Sequence, residues 1–213
     1  MHIPDGLIAP QTYLSAFVLA APAWAWSVRQ VARHFDDNLI PRLAVLTALA
    51  FVLTTVMVPL PGGTSGHFVG VGLLALAFGL WPAFLAYSLV LALQALLFGT
   101  GGITALAINA LCMGLVGGAV TIGIHRLIDP WKSSVATVVA VWAGVVVSAL
   151  LIAMVLGFQP LMGRDASGQP LFFPFGPAVT IPVLVIPHAL IGLGEGLLTW
   201  MVLGVMVRKR VPA

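Results

Sequence analysis

The sequence predicts an all-α integral membrane protein, and three observations support this prediction. Of the 213 residues, 61% are hydrophobic and only 7% are charged, whereas soluble domains carry about 25% charged residues. The mean hydropathy of +1.12 leaves too little polar surface to cover a folded body in water. Apolar stretches long enough to form spanning helices follow one another along the whole chain. The chain therefore uses the lipid bilayer as its solvent.

The composition also argues against two other classes of protein. Cys112 is the only cysteine, so the chain cannot form an internal disulfide and is not a secreted disulfide scaffold. The net charge of +3 comes from nine Lys and Arg residues, nearly all of which lie at the edges of apolar stretches rather than on one face. We therefore expect no nucleic-acid partner.

The apolar stretches predict about seven transmembrane helices. They run over residues 12–28, 41–59, 68–98, 104–125, 134–158 and 179–207. Stretch 68–98 is too long for one untilted crossing, because a helix of that length would measure roughly 46 Å. Proline disfavours helix for the residue before it. We therefore predict two short helices, 68–80 and 82–98, joined by a tight turn at Trp81 and Pro82.

The distribution of positive charge predicts the orientation of the helices. Eight of the nine basic residues fall in three connections or termini: Arg29, Arg33 and Arg42; Arg126 and Lys132; Arg208, Lys209 and Arg210. With seven spans, all three groups lie on one side, which the positive-inside rule assigns to the cytoplasm. Residues 1–213 then form a single multi-pass domain of the cell (inner) membrane, with the N-terminus outside and the C-terminus cytoplasmic. Arg164 is the exception, in the outer loop 159–178.

The first two residues place three nitrogens in chelating order. These are the free amine of Met1, the amide nitrogen of His2 and the imidazole Nδ1 of His2. A planar nitrogen set with one open corner suits Ni²⁺, Cu²⁺ or low-spin cobalt better than Zn²⁺, which prefers a tetrahedron. Pro4, Asp5 and Gly6 form a turn signal that folds the tip back toward the bundle, and Asp5 is a candidate to orient His2 or to balance the charge of the metal. The alternative is that a histidine follows the initial methionine by chance.

A second histidine, His67, lies in a glycine-rich loop on the same side of the membrane as Met1. Residues 62–67 read Gly-Gly-Thr-Ser-Gly-His. Glycines allow the backbone to approach closely, and Thr64 and Ser65 are able to hydrogen-bond within the loop. His67 is therefore a candidate for the open corner of the nitrogen set. The alternative is a histidine that rests in the headgroup layer.

Four polar residues interrupt the apolar stretches and need an explanation. His188 and Glu195 lie seven residues apart on one face of the last span, and an ionisable group at this depth is a functional candidate. The interpretation that we favour is that His188, Glu195, Asn109 and Gln94 hydrogen-bond one another and fix helix packing. Asn109 is also a candidate to hold an inserted N-terminus, because its amide is able to satisfy backbone groups stranded in the bundle.

Three segments together resemble one known family. Residues 1–6 (Met-His-Ile-Pro-Asp-Gly), 63–67 (Gly-Thr-Ser-Gly-His) and 188–196 (His-Ala-Leu-Ile-Gly-Leu-Gly-Glu-Gly) resemble the CbiM/NikM family, the cobalt- or nickel-specific S components of energy-coupling factor (ECF) transporters. The resemblance implies a seven-span fold in which segment 1–10 inserts into the bundle and loop 59–68 carries the second histidine. It also implies a square-planar metal held by the Met1 amine, the His2 amide and imidazole nitrogens, and the His67 imidazole. The Pro-Asp opening slightly favours nickel.

The same resemblance implies a function and a set of partners. The chain would be the substrate-binding subunit of an ABC-type importer that captures Ni²⁺ or Co²⁺ outside the cell. A transmembrane coupling (T) subunit, two ATP-binding cassette ATPase subunits and an additional small membrane subunit would complete the transporter. The sequence contains no phosphate-binding loop of the Gly-x-x-x-x-Gly-Lys-Ser/Thr type, so we expect that the chain binds no nucleotide and is not an enzyme. The alternatives are an intramembrane enzyme and a proton-coupled metal carrier, either of which would use His188 and Glu195.

Overall fold

The computed structural model describes residues 1–33, 39–60, 64–129 and 133–208. Over these residues the chain forms seven α-helices and one short antiparallel β-hairpin. The helices are α1 (Pro10–Arg33), α2 (Leu39–Thr55), α3 (Val71–Phe78), α4 (Leu80–Phe98), α5 (Leu106–Ile128), α6 (Ser133–Gly157) and α7 (Pro177–Arg208), and the hairpin pairs β1 (Val58–Leu60) with β2 (Thr64–Gly66). The predicted helical membrane fold is confirmed.

The helices differ in their capacity to cross a bilayer. In the described part of the chain, four apolar segments are long enough to span it: Leu80–Phe98, Leu106–Ile128, Ser134–Leu161 and Pro177–Met206. Helix α2 is shorter, and α3 has eight residues, about 12 Å of helix, which is too short to cross alone. Large apolar side chains face outward, such as Val18 (72% exposed) and Leu190 (70% exposed). In a bilayer these side chains contact lipid.

The break between α3 and α4 lies at Gly79 and not at Trp81 and Pro82, so the predicted position of the turn is wrong. Gly79 has φ 86°, a left-handed conformation that glycine adopts without steric cost. Pro82 lies in the first turn of α4, where a helix tolerates proline because the first backbone N–H groups have no helical acceptor. The two-helix interpretation of 68–98 is correct, but α3 begins at Val71 and ends at Phe78.

Helix α5 changes its winding where it passes the middle of the bundle. It is α-helical over Leu106–Asn109, π-helical over Ala110–Gly117 and α-helical again over Gly118–Ile128. A Cβ on Gly114 would lie 3.0 Å from the Phe84 ring, so this part of α5 packs closely on α4. π-Helical turns inside α-helices occur frequently at functional sites, and here the turn begins directly after Asn109.

The helices run between two ends of the bundle. One end, which we call the Met1 end, contains the N-terminal segment (residues 1–9), the β-hairpin and the loop after α4. At the opposite end, the last turn of α1, the start of α2 and the α3–α4 break line one cavity, and Gly79, Arg126 and Gly204 line a second. Arg33, in the last turn of α1, and Arg126 therefore lie at the end away from Met1, as the alternation of seven helices requires.

Candidate metal site

The N-terminal segment is folded into the bundle at the Met1 end. Met1 is 6% exposed and Ile3 is fully buried, and Ile8 and Ala9 are buried as well. The turn predicted at Pro4–Gly6 is present, with Gly6 at φ 85°. Residues 1–3 therefore lie among the helices, and the exposed turn 4–6 lies at the surface.

Asn109 holds the segment through its backbone at Ile3. The Ile3 N–H donates to Asn109 Oδ1 at 3.1 Å, and Asn109 Nδ2 donates to the Ile3 carbonyl at 3.1 Å. The Gly102 N–H donates to the same carbonyl at 2.9 Å. A buried backbone group without a partner is costly, so these hydrogen bonds allow a non-helical peptide to lie inside the bundle.

Asp5 fixes the turn to the loop that precedes α5. Its carboxylate accepts hydrogen bonds from the Ile103 N–H at 3.0 Å, from the Thr104 N–H at 2.8 Å and from the Thr104 hydroxyl. These bonds, that of the hydroxyl first, lower the pKa of Asp5 below its ordinary value. The structure thus places Asp5 as an anchor of the segment and not against the His2 ring, the position considered from the sequence.

His67 lies beside Met1 and His2, 66 residues away from Met1 along the chain. Its Nδ1 lies 2.7 Å from the Phe68 carbonyl, which only accepts, so Nδ1 carries the proton. Its Nε2 accepts a hydrogen bond from the Met1 nitrogen at 3.3 Å. The His2 and His67 rings stack, with centroids 4.5 Å apart and an angle of 30° between their planes. The Nε2 lone pair of His67 is therefore directed toward the Met1 amine.

The groups around this point favour their uncharged forms. Burial lowers the pKa of the Met1 amine from 8.0 to about 5. Burial, together with the neighbouring amine, lowers the pKa of His67 to about 3. The pKa of His2 is also lowered, by burial first and then by His67, the Met1 amine and His188. Neutral nitrogens are the forms that bind a metal ion, so the pocket holds these groups ready to coordinate at neutral pH.

Several nitrogens of the pocket have no hydrogen-bond partner. Among the described residues, both ring nitrogens of His2 and the Nε2 of His188 are buried and unpaired. The Nδ1 of His188 lies 2.7 Å from the Leu184 carbonyl, one turn back on α7. Unpaired buried nitrogens are rare and need an explanation, such as a ligand.

The polar residues predicted to pair with one another do not do so. Glu195 accepts hydrogen bonds from the Val69 and Gly70 N–H groups, Gln94 donates to Thr54, and Asn109 and His188 bond as described above. The favoured interpretation of a mutual packing network is therefore wrong. Backbone groups without a helical partner, at Ile3 of the inserted segment and at the start of α3, bind Asn109 and Glu195 instead.

Two residues near the site were not predicted from the sequence, and the side chains of two predicted residues lie outside what the structure describes. Gln159 accepts a hydrogen bond from the Ala9 N–H at 2.9 Å, and Gly101 lies against His2, since a Cβ there would be 3.3 Å from the His2 Cβ. The glycine pair at 101–102 beside a span was a usable signal for close backbone approach. The side chains of Thr64 and Ser65 lie outside the described part.

The arrangement offers a set of nitrogens and no conventional cluster of side chains. No group of three His, Cys, Asp or Glu residues converges on one point within the described ranges. The 3.3 Å between the Met1 nitrogen and His67 Nε2 is close to the roughly 2.8 Å that separates adjacent ligands in a square of about 2 Å metal–nitrogen bonds. The fold and this pocket define a multi-pass membrane protein with a buried nitrogen site suited to a divalent transition-metal ion.

Comparison with known proteins identifies the family. The chain belongs to the CbiM family, whose model, described as the cobalt uptake substrate-specific transmembrane region, matches residues 2–212. It is 36% identical to the fused nickel transport protein NikMN of Rhodobacter capsulatus, over 94% of this chain and 61% of that protein. It is 30% identical to the cobalt transport protein CbiM of Clostridium tetani, over 93% of this chain and 81% of that protein. The chain thus spans about three fifths of the fused relative.

A solved structure has the same fold. The chain superposes on a crystal structure of a truncated transition metal transporter with a TM-score of 0.93 and 36% identity, covering 98% of this chain and 99% of that one. The relatives and the structural neighbour are metal transporters and not enzymes. This agrees with the expectation that the chain is not an enzyme.

Proposed function

We propose that this chain is the substrate-binding membrane subunit of an ECF-type importer for Ni²⁺ or Co²⁺. The single observation that carries the proposal is the meeting of the Met1 nitrogen, the His2 ring and the His67 Nε2 in one buried pocket. The family match supports metal uptake as the activity. The metal ion is the cargo of the protein and not a resident cofactor.

The chemistry of the proposed site follows from the order of the atoms. The Met1 amine, the His2 amide nitrogen and the His2 Nδ1 are joined by few bonds, so one metal ion closes two small chelate rings with them. Loss of the His2 amide proton makes this set planar and adds a negative charge that offsets part of the metal's charge. The His67 Nε2 fills the fourth corner. Such a site selects ions that accept a square of nitrogens and disfavours Zn²⁺.

The choice between the two ions falls slightly toward nickel. The Pro-Asp pair after the first three residues resembles the nickel members of the family, and a relative 36% identical to this chain is named as a nickel transport protein. Both ions accept four nitrogen ligands, so the donor set alone does not discriminate between them. Nickel is the ion we propose, with cobalt as the competitor to be measured beside it.

The direction of transport and the partners belong to the same proposal. The basic residues near the end opposite Met1 favour a cytoplasmic location for that end, so the Met1 end faces outside and takes up the ion there. Energy comes from two ATP-binding cassette subunits, linked through a transmembrane coupling subunit, with a further small membrane subunit in the complex. The absence of a phosphate-binding loop in the sequence supports a division of labour of this kind.

The test is to add one residue before Met1. An extension converts the primary amine into an amide and adds bulk where Met1 is only 6% exposed. We expect the extended protein to lose Ni²⁺ and Co²⁺ binding in equilibrium dialysis, while a one-residue extension at the other end leaves binding unchanged. Mass spectrometry of the purified protein establishes which residue carries the amine. Wild-type affinity in the extended protein would overturn the proposal and would favour a proton-coupled carrier based on His188 and Glu195.

A further inference from the structure

Glu195 makes an unusual contact for a glutamate within a membrane helix. It is the only glutamate of the chain, and it is 2% exposed on α7. Its Oε2 accepts the Val69 N–H at 2.7 Å, and its Oε1 accepts the Gly70 N–H at 2.8 Å. Both carboxylate oxygens are therefore engaged by backbone groups of a segment 125 or more residues away in sequence.

The two N–H groups that bond to Glu195 have no acceptor within their own helix. Val69 and Gly70 immediately precede α3, and the first N–H groups of a helix lack helical partners. The positive end of the helix dipole also favours a carboxylate there. Gly70 is tightly fitted, because it has φ 80° and a Cβ would lie 2.9 Å from the Ala50 Cβ. The carboxylate therefore meets a backbone that has little room to move.

The backbone that bonds to Glu195 follows His67 directly in the chain. The His67 Nδ1 bonds to the Phe68 carbonyl, and the next two N–H groups along the chain bond to Glu195. The orientation of the imidazole is thus fixed by its own backbone, and the position of that backbone is fixed by α7. The three nitrogens of Met1 and His2 have a different anchor, since Asn109 on α5 holds the neighbouring Ile3.

We propose that Glu195 is a positioning residue that ties the His67 ligand to α7, so that the metal site is divided between two anchors, α5 for the chelating arm and α7 for the fourth ligand. This inference rests on the proposed function. A displacement of α7 relative to α5 then withdraws His67 from the square and leaves a weaker three-nitrogen complex on the arm. The division provides a means of releasing a tightly held ion without unfolding the N-terminal segment.

The test compares Glu195→Gln with wild type in the full-length protein, with Ni²⁺ as the probe. Glutamine keeps one acceptor but turns an NH₂ group toward the second backbone N–H, where donor meets donor. We expect Ni²⁺ affinity to fall about 10- to 100-fold, as for other groups that orient a metal ligand. The absorption spectrum of the bound ion should shift toward that of His67→Ala. Ser148→Ala, a buried hydroxyl of α6 away from the site, is the matched control and should bind as wild type.

A double-mutant comparison separates positioning from general destabilisation. If Glu195 acts through His67, Glu195→Gln has no further effect on Ni²⁺ affinity in the His67→Ala background. Penalties that add, or a Glu195→Gln protein with wild-type affinity and spectrum, would overturn the proposal. Glu195→Asp, which keeps the charge on a shorter side chain, replaces Glu195→Gln if that variant does not fold, with the same two criteria. Failure of wild type itself to bind either Ni²⁺ or Co²⁺ would instead refute the proposed function.

Discussion

The Met1 end and the packing region between α5, α6 and α7 use buried polar groups in opposite ways. In the packing region three buried hydroxyls donate to backbone carbonyls. Ser148 donates to Gly144 at 2.7 Å, Thr121 donates to Gly117 at 2.9 Å, and Thr180 on α7 donates to a carbonyl of α6 at 2.9 Å. These hydroxyls are satisfied, and the bond of Thr180 also ties α7 to α6.

At the Met1 end the backbone of the inserted segment is paired at Ile3 and Ala9, whereas both ring nitrogens of His2 and the Nε2 of His188 have no partner among the described residues. Of the four buried side-chain atoms without a partner in the described residues, three belong to His2 and His188, and the fourth is Gln94 Oε1. Each such group costs about 1–3 kcal/mol. The difference shows that hydrogen bonds at the Met1 end hold the inserted peptide in place, whereas the ring nitrogens of His2 and the Nε2 of His188 stay available for a ligand. The following variants challenge this contrast, from the largest expected effect to the smallest.

His2→Ala should have the largest effect on metal binding. It removes an imidazole from the proposed square, and a share of about 3 kcal/mol per ligand corresponds to a loss of about 100-fold or more in affinity. Isothermal titration with Ni²⁺ measures it. The control is His125→Ala, since His125 contacts Thr137 near the opposite end and should leave affinity unchanged. Equal losses in the two variants would show that the contrast between the regions is false.

Asn109→Leu should weaken binding and stability together. It removes both hydrogen bonds to Ile3 and leaves the buried Ile3 N–H without a partner, at about 1–3 kcal/mol, while the Ile3 carbonyl keeps its bond from the Gly102 N–H. We expect Ni²⁺ affinity to fall about tenfold or more and the thermal midpoint of the metal-free protein to fall. A variant that binds as wild type would mean that the segment is held without Asn109.

The metal-free protein should lose stability as the pH falls from about 8 to 5. The pKa of the Met1 amine is lowered by burial from 8.0 to about 5, and that of His67 is lowered from 6.5 to about 3. The unfolded chain therefore binds protons at a pH where the folded chain does not, so the stabilisation is complete above pH 8 and decreases on acidification. Asp5 titrates below this range. Thermal unfolding at several pH values measures the effect, and a flat profile would contradict the burial of the amine.

Ser148→Ala should have the smallest effect and should act on stability alone. Its hydroxyl bonds to carbonyls within and between helices, and such bonds contribute about 1 kcal/mol. We expect a small decrease in the thermal midpoint and an unchanged affinity for Ni²⁺. A loss of metal affinity in this variant would mean that the packing region takes part in the site.

Composition and charge predicted the helices of the fold correctly wherever a helix is long. The apolar stretches and the grouping of basic residues were sufficient for the number and alternation of the helices. The break at Gly79 was misplaced because proline is a breaker only inside a helix, and the sequence does not say that Pro82 lies in a first turn. The π-helical segment of α5 left no signal, since its residues are the same small and apolar ones as in the α-helical parts.

The proposed ligand set and one of its supports, Asn109, were accessible from the sequence, but the other supports were not. Met1 and His2 are adjacent, so their chelating order is read directly from the chain. The partners predicted for Glu195 were wrong because only other polar side chains were considered, whereas this carboxylate bonds to backbone N–H groups. Backbone groups that lack a helical partner appear only once the helix ends are located, and this is why Gln159 also escaped notice.

The most direct test of the account is nickel K-edge X-ray absorption on the Ni²⁺-loaded protein. A site made of the Met1 amine, the two His2 nitrogens and the His67 Nε2 predicts four nitrogen ligands in a plane, scattering from two imidazoles, and the pre-edge feature of a square-planar ion. His67→Ala should lose one imidazole from this pattern. A six-coordinate spectrum dominated by oxygen, or one without imidazole scattering, would contradict the account.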